Sequence, residues 1–158
     1  MKEEISVKEQ IKKIFENLFI NNKIDYFIGG SERFGYKTDQ SDIDFFIFDP
    51  NIIKIDKILF QLPFNTYIRK NPLMGLGYDL RVNIQFELFG GLIHLNIIEL
   101  KNQFEELKEE HNKIEKMLNK NHELFEFIHT IKNKSISNID GKTVYRIMKE
   151  IINKKERI

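Results

Sequence analysis

Apolar residues recur at helical spacing close to the start of the chain: Val7, Ile11, Ile14, Phe15, Leu18 and Phe19 fall on one face of a 3.6-residue repeat. Ser6 and Glu9 form an S-x-x-E capping box ahead of them, so the pattern predicts an amphipathic helix over residues 7–21, ended by Asn21-Asn22-Lys23. Ile24 to Ile28 then reads as a short strand running into Gly29-Gly30, with a brief helix from near Ser31 and a polar loop from Lys37 to Ser41. Ile43 to Phe48 is almost wholly apolar after Asp44, the pattern of a central strand covered on much of both faces. Asp49-Pro50-Asn51 closes it.

Residues 52–62 fit a helix or an extended segment equally well, and Pro63 to Gly77 reads as a loop. Tyr78 to Leu88 alternates as a strand does, Phe89-Gly90-Gly91 has the chemistry of a hairpin turn, and Leu92 to Leu100 is the returning strand. On that strand Ile93, Leu95 and Ile97 share one face, and His94, Asn96 and Ile98 share the other. The period changes again at Lys101. Phe104, Leu107, His111, Ile114 and Leu118 form one helical stripe, Leu124 to Ile131 makes a second helix, and Asp140 can cap a third. Val144, Ile147, Met148, Ile151 and Ile152 are the stripe of that last helix. The order of elements predicts an α+β chain, with a core over residues 1–100 and a C-terminal helical segment over 101–158 packed on the same domain.

Composition narrows the class. A chain of 158 residues, 41% apolar and 31% charged, suits one globular domain, and fourteen phenylalanines supply core bulk in the absence of Trp and Cys. Without cysteine there is no disulfide and no thiolate metal site. No apolar run approaches the roughly 18 residues of a membrane helix, and MKEEISVKEQ lacks a signal-peptide core, so a cytoplasmic protein with no membrane partner is expected. A net charge of +1 argues against nucleic-acid binding driven by bulk electrostatics.

The chemistry concentrates between Phe27 and Phe48, in FIGGSERFGYKTDQSDIDFFIF. An apolar run ends in Gly29-Gly30-Ser31, a turn whose backbone can approach phosphate oxygens because glycine carries no side chain. Eleven positions after Ser31 stands Asp42, followed by Ile43 and Asp44. Carboxylates at i and i+2 of a strand point to one face and can hold a divalent metal. Arg33 and Lys37 lie between the two motifs, within reach of phosphate oxygens.

Ile28-Gly29-Gly30-Ser31, a spacer, and Asp42-Ile43-Asp44 together resemble the nucleotidyltransferase superfamily of the DNA polymerase β type, most of all its minimal members. Gly35 and Ser41 also fall where those members often carry Gly and Ser. The likeness is close over about twenty residues and loose over the first hundred. It implies a small mixed β-sheet nucleotidyltransferase fold with a C-terminal helical segment. It also implies metal-dependent transfer of an NMP from an NTP, with ATP as the expected nucleotide and Mg²⁺ or Mn²⁺ as cofactor. In that reading Asp42 and Asp44 bind the metal, and Gly29, Gly30, Ser31, Arg33 and Lys37 bind the nucleotide.

The pattern departs from the family at the third carboxylate. The strand expected to carry it reads LIHLNIIE, whose open-face polar residues are His94 and Asn96. His94 can act as general base or metal ligand, or only as a hydrogen-bonded structural residue. Asn96 can be a neutral metal ligand, and Glu87 or Asp79 could complete the site from the preceding strand. Otherwise the third site is lost and the chain binds nucleotide without transferring it. Two functions therefore compete. One is an enzyme acting on a small molecule, a protein or an RNA end. The other is a catalytically degenerate nucleotide-binding or antitoxin-like module, for which the resemblance implies a partner such as a HEPN-type toxin. His111, His122 and His129 lack metal spacing and read as packing or surface residues, and Glu105, Glu106, Glu109 and Glu110 read as a solvated face.

Overall fold

The protein is described here from a computed structural model, which covers residues 7–34, 43–59, 68–70, 82–88, 91–134 and 141–156. Helix α1 spans Val7–Asn21 and buries Ile11, Phe15 and Phe19, the i, i+4, i+8 positions of the apolar stripe. It ends as a Schellman motif. Lys23 takes a left-handed φ of 54°, its N–H donates to Ile20 O at 3.1 Å, and Ile24 N–H donates to Phe19 O at 2.9 Å. Ser6 of the expected capping box lies outside the described residues.

That sharp stop launches strand β1, Asp25–Gly29, which leads directly into the five-residue helix α2, Gly30–Phe34. Strand β2 is Ile43–Phe48. A 3-10 turn at Pro50–Ile52 continues into helix α3, Ile53–Leu59, so the undecided stretch after residue 52 begins as a helix. The cause is Asp49. It is buried, and its Oδ2 accepts from Ile55 N–H at 2.9 Å, satisfying one of the amides that a helix start leaves open. Strand β3, Ile68–Lys70, is a correction to the sequence reading, which took that region as loop throughout; it pairs antiparallel with β4, Val82–Leu88. Strand β5 is Gly91–Ile98.

The five strands form one sheet in the order β1-β2-β5-β4-β3. β2 and β5 are parallel and every other pair is antiparallel, so the sheet is mixed. One face carries Ile43, Phe45 and Ile47 of β2 and Ile93, Leu95 and Ile97 of β5. It packs with Phe15 and Phe19 of α1 and with Ile55 and Ile58 of α3 in the main core. Phe45 lies 5.9 Å from Phe15 and 5.3 Å from Phe19 between ring centroids, spacing typical of favourable aromatic pairs.

On the opposite face, the described residues pack at one end of the sheet. There Phe27, Phe46 and Ile98 meet Phe104 and Leu107 of α4, Lys101–Lys120. Helices α5, His122–Lys134, and α6, Gly141–Glu156, pack with α4 through Ile114, Met117, Leu118, Ile128, Met148 and Ile152. Phe34 of α2 joins this second cluster, which ties the short helix after the glycine turn to the C-terminal helices. The helix start predicted at Asp140 falls outside the described residues. The observed architecture is the expected one: an α+β fold with a small mixed sheet and a helical C-terminal segment.

Candidate functional site

Strand register assembles the site on the partly covered face. Asp44 on β2 has Gly29 of β1 as its partner on one side and His94 of β5 on the other. Paired residues of neighbouring strands share a face, so the three positions form a row across the sheet. Asp44 Oδ1 lies 3.2 Å from His94 Nδ1, with 28% and 19% of the two side chains exposed. The other carboxylate oxygen, Oδ2, is turned toward the glycine turn. A Cβ built on Gly30 would stand 2.6 Å from it, and Gly30 has a φ of 65°, in the left-handed region that a side chain disfavours. Glycine at position 30 therefore meets two demands at once, backbone conformation and close approach of the Asp44 carboxylate.

The preceding glycine is restricted from the opposite side. A Cβ on Gly29 would lie 2.6 Å from Phe46 Cε2 and 2.7 Å from His111 Nε2. His111 is buried on α4 and stacks on Phe34 at 5.5 Å between centroids, with Phe27, Phe46 and Tyr145 also around it. Its Nδ1 lies 2.8 Å from Leu107 O, one helical turn back, and a carbonyl only accepts. Nδ1 therefore carries the proton in the neutral ring, and Nε2 presents a lone pair toward the Gly29 backbone. Burial lowers the His111 pKa from 6.5 to about 4, with the nearby Arg33 charge adding to the drop and the Leu107 carbonyl and Asp44 opposing it.

Arg33 projects from α2 onto α4. Its Nε donates to Glu115 Oε2 at 2.6 Å, one terminal nitrogen donates to Ile28 O at 3.3 Å, and the other donates to Asn112 Oδ1. The guanidinium thus links α2 and strand β1 to helix α4, using its planar fork. Asn96, the second polar residue of the expected third-ligand strand, turns its amide inward: Nδ2 donates to Phe45 O at 3.2 Å and the residue is buried. Of the two substitutes for a third carboxylate, only His94 meets Asp44.

Asp42 and Lys37 lie outside the described residues, as does Asp79, and Ser31 is described only as backbone within α2. Position 87 lies two residues along β4 from Gln85, the register partner of His94. Among the described residues no group of three or more His, Cys, Asp or Glu side chains is placed to hold a metal ion. No described helix is long and apolar enough to cross a membrane.

The crystal structure of the conserved protein GrpB from Enterococcus faecalis has this fold. It superposes with a TM-score of 0.58 over 95% of this chain and 92% of that one, at 16% sequence identity. No family model and no curated protein matches the sequence. At that identity the likeness is one of fold, and the chemistry must be argued from the residues.

The divalent metal that the sequence resemblance implies can be tested against the donors present. Two ligands on adjacent corners of an octahedral ion are roughly 3 Å apart at metal–oxygen bonds of about 2.1 Å. Asp44 Oδ1 and His94 Nδ1, 3.2 Å apart, have that spacing, and both side chains are partly open to solvent. The pair would supply two donors to a divalent ion; as they stand, the two side chains contact each other directly.

His111, Asn112 and Glu115 were not singled out by sequence reasoning as parts of this region. The available signal was the place of His111 in the stripe Phe104, Leu107, Ile114 and Leu118, which marks it as buried. Nothing in the sequence says that it faces Gly29.

Proposed function

We propose that this chain binds a divalent metal–nucleoside triphosphate complex at the open end of the Asp44 face, with ATP as the expected nucleotide, and transfers its nucleotidyl group to an acceptor hydroxyl. The single observation that carries the reading is the close approach of Asp44 to Gly30. A carboxylate and a side-chain-free turn meet on one face of the sheet, with the glycine in a conformation that few other residues adopt. In this reading Asp44, with Asp42, holds the metal. The bare backbone at Gly29, Gly30 and Ser31 admits the phosphates, Lys37 balances their charge, and Arg33, ion-paired with Glu115, holds the turn against α4. A divalent ion held there would supply positive charge against the triphosphate and the leaving pyrophosphate. The chain's own part is to orient the α-phosphorus for in-line attack and to keep the site from collapsing.

A second reading, nucleotide binding without transfer, is supported by Asn96. Its commitment to Phe45 O leaves His94 alone where active relatives of the resembled type are expected to carry a carboxylate. On that reading the chain is a sensor or an antitoxin-like module whose partner, such as a HEPN-type toxin, reads the bound state. Incubation with each α-labelled NTP and Mg²⁺ or Mn²⁺ separates the two. Labelled protein, RNA or small molecule that vanishes in Asp44→Asn supports transfer. Tight binding of a non-hydrolysable analogue with no labelled product supports the second reading.

A further inference from the structure

We propose that His94 is a metal ligand, and that it shifts the site's preference from Mg²⁺ toward first-row transition ions such as Mn²⁺. The inference rests on the metal–nucleotide reading of Asp44 and names the ion that this site would select. Three observations carry it. Asp44 and His94 are register partners on adjacent parallel strands, so their backbones hold the two side chains side by side. Their nearest donor atoms are 3.2 Å apart, the spacing of neighbouring ligands on one small ion. Both side chains are partly exposed, 19% for His94 and 28% for Asp44.

The chemistry of the donors then sets the ion. Mg²⁺ takes hard oxygen ligands and sheds water reluctantly. An imidazole nitrogen is a softer donor that suits first-row transition metals, whose affinity for a given nitrogen and oxygen set rises from Mn²⁺ onward. Replacing a carboxylate by imidazole also removes one negative charge, which costs Mg²⁺, an almost purely electrostatic guest, more than it costs Mn²⁺. The other polar residue on this strand face does not compensate, because the Asn96 amide is held by Phe45 O.

The test uses the full-length protein and α,β-methylene-ATP. Calorimetry gives the ratio of Mn²⁺- to Mg²⁺-supported nucleotide affinity for wild type and for His94→Asp. That ratio should be at least tenfold larger in wild type, since the carboxylate restores a hard ligand. Pulsed electron paramagnetic resonance on the Mn²⁺ complex of protein labelled with ¹⁵N at histidine should show a ¹⁵N coupling that is absent from His94→Asp. The label separates imidazole from the adenine nitrogens of the nucleotide. If Mn²⁺–nucleotide binds but no histidine coupling appears, or the metal ratio is unchanged in folded His94→Asp, the inference falls and the Asp44 reading stands. If wild type binds neither metal–nucleotide complex, that reading falls and takes the inference with it. Should His94→Asp fail to fold, His94→Gln takes its place in the spectrum, because the label also marks His111, His122 and His129 and only loss of the coupling on changing residue 94 assigns it.

Discussion

The Nε2 atom of His111 occupies the space that a Cβ on Gly29 would need, the two being 2.7 Å apart. A residue of the C-terminal helical segment thus sets the identity of a residue in the glycine turn, 82 positions earlier. Gly29→Ala should destabilise the protein by about 1–3 kcal/mol, the usual cost of forcing a methyl into a packed site. Urea denaturation measures it. Because Phe46 crowds the same point at 2.6 Å, pairing the change with His111→Ala should relieve only part of the strain.

Acid should weaken the fold through His111. Its folded pKa is about 4 against an ordinary 6.5, so the unfolded chain takes up the proton first. The contribution of a neutral His111 is complete above pH 6.5 and is lost as the pH falls toward 4. The full shift corresponds to about 3 kcal/mol. In His111→Gln the fall in stability between those two pH values should be shallower than in wild type, measured as the difference between the two denaturation profiles so that the carboxylates cancel. Identical slopes would remove His111 from the account of acid sensitivity.

Arg33→Lys keeps the charge but loses the fork that reaches Glu115, Asn112 and Ile28 together. Glu115 is itself about two-fifths exposed, so its ion pair contributes little alone, and the hydrogen bonds to Asn112 and the Ile28 carbonyl account for the rest. A loss of about 1–2 kcal/mol is expected by thermal or urea unfolding. Glu115→Gln, which keeps an acceptor, should lose less.

Most of the scaffold was legible because its elements carry strong periods. The stripe from Val7 to Phe19 and the one from Phe104 to Leu118 gave α1 and α4 close to their observed bounds. The alternation from Ile93 to Ile98 separated the core face of β5 from the Asp44 face correctly. Ile68–Lys70 was hidden because three residues are too few to show a period, and a strand that short is defined by its pairing with β4. Helix α3 was ambiguous because its start depends on a buried Asp49 cap, and Asp49-Pro50-Asn51 reads from sequence as a turn. At the site, the Asp44–Gly30 approach was readable from the spacing of two motifs. The choice between His94 and Asn96 was not: they share a face, and what separates them is the register that pairs His94 with Asp44 and the Phe45 carbonyl that takes the Asn96 amide.

Gly30→Ala tests the turn from the side of the ligand. The new methyl would meet Asp44 Oδ2 at 2.6 Å in a backbone with φ of 65°. The left-handed conformation alone costs a non-glycine residue about 1–2 kcal/mol. The carboxylate must also turn away, so metal–nucleotide affinity should drop by more than the same change at an exposed turn would cause. Calorimetry at a temperature where the variant is fully folded separates the two effects.

The most direct measurement is a calorimetric titration of wild type and of Asp44→Asn with Mg²⁺– and Mn²⁺–α,β-methylene-ATP, with folding of the variant checked by circular dichroism. Asn keeps the shape of the side chain and removes its charge. The account predicts saturable binding by wild type and at least tenfold weaker binding by the variant, about 1.4 kcal/mol at 25 °C. Equal affinity in a folded Asp44→Asn, or no binding by wild type with either ion, would contradict it.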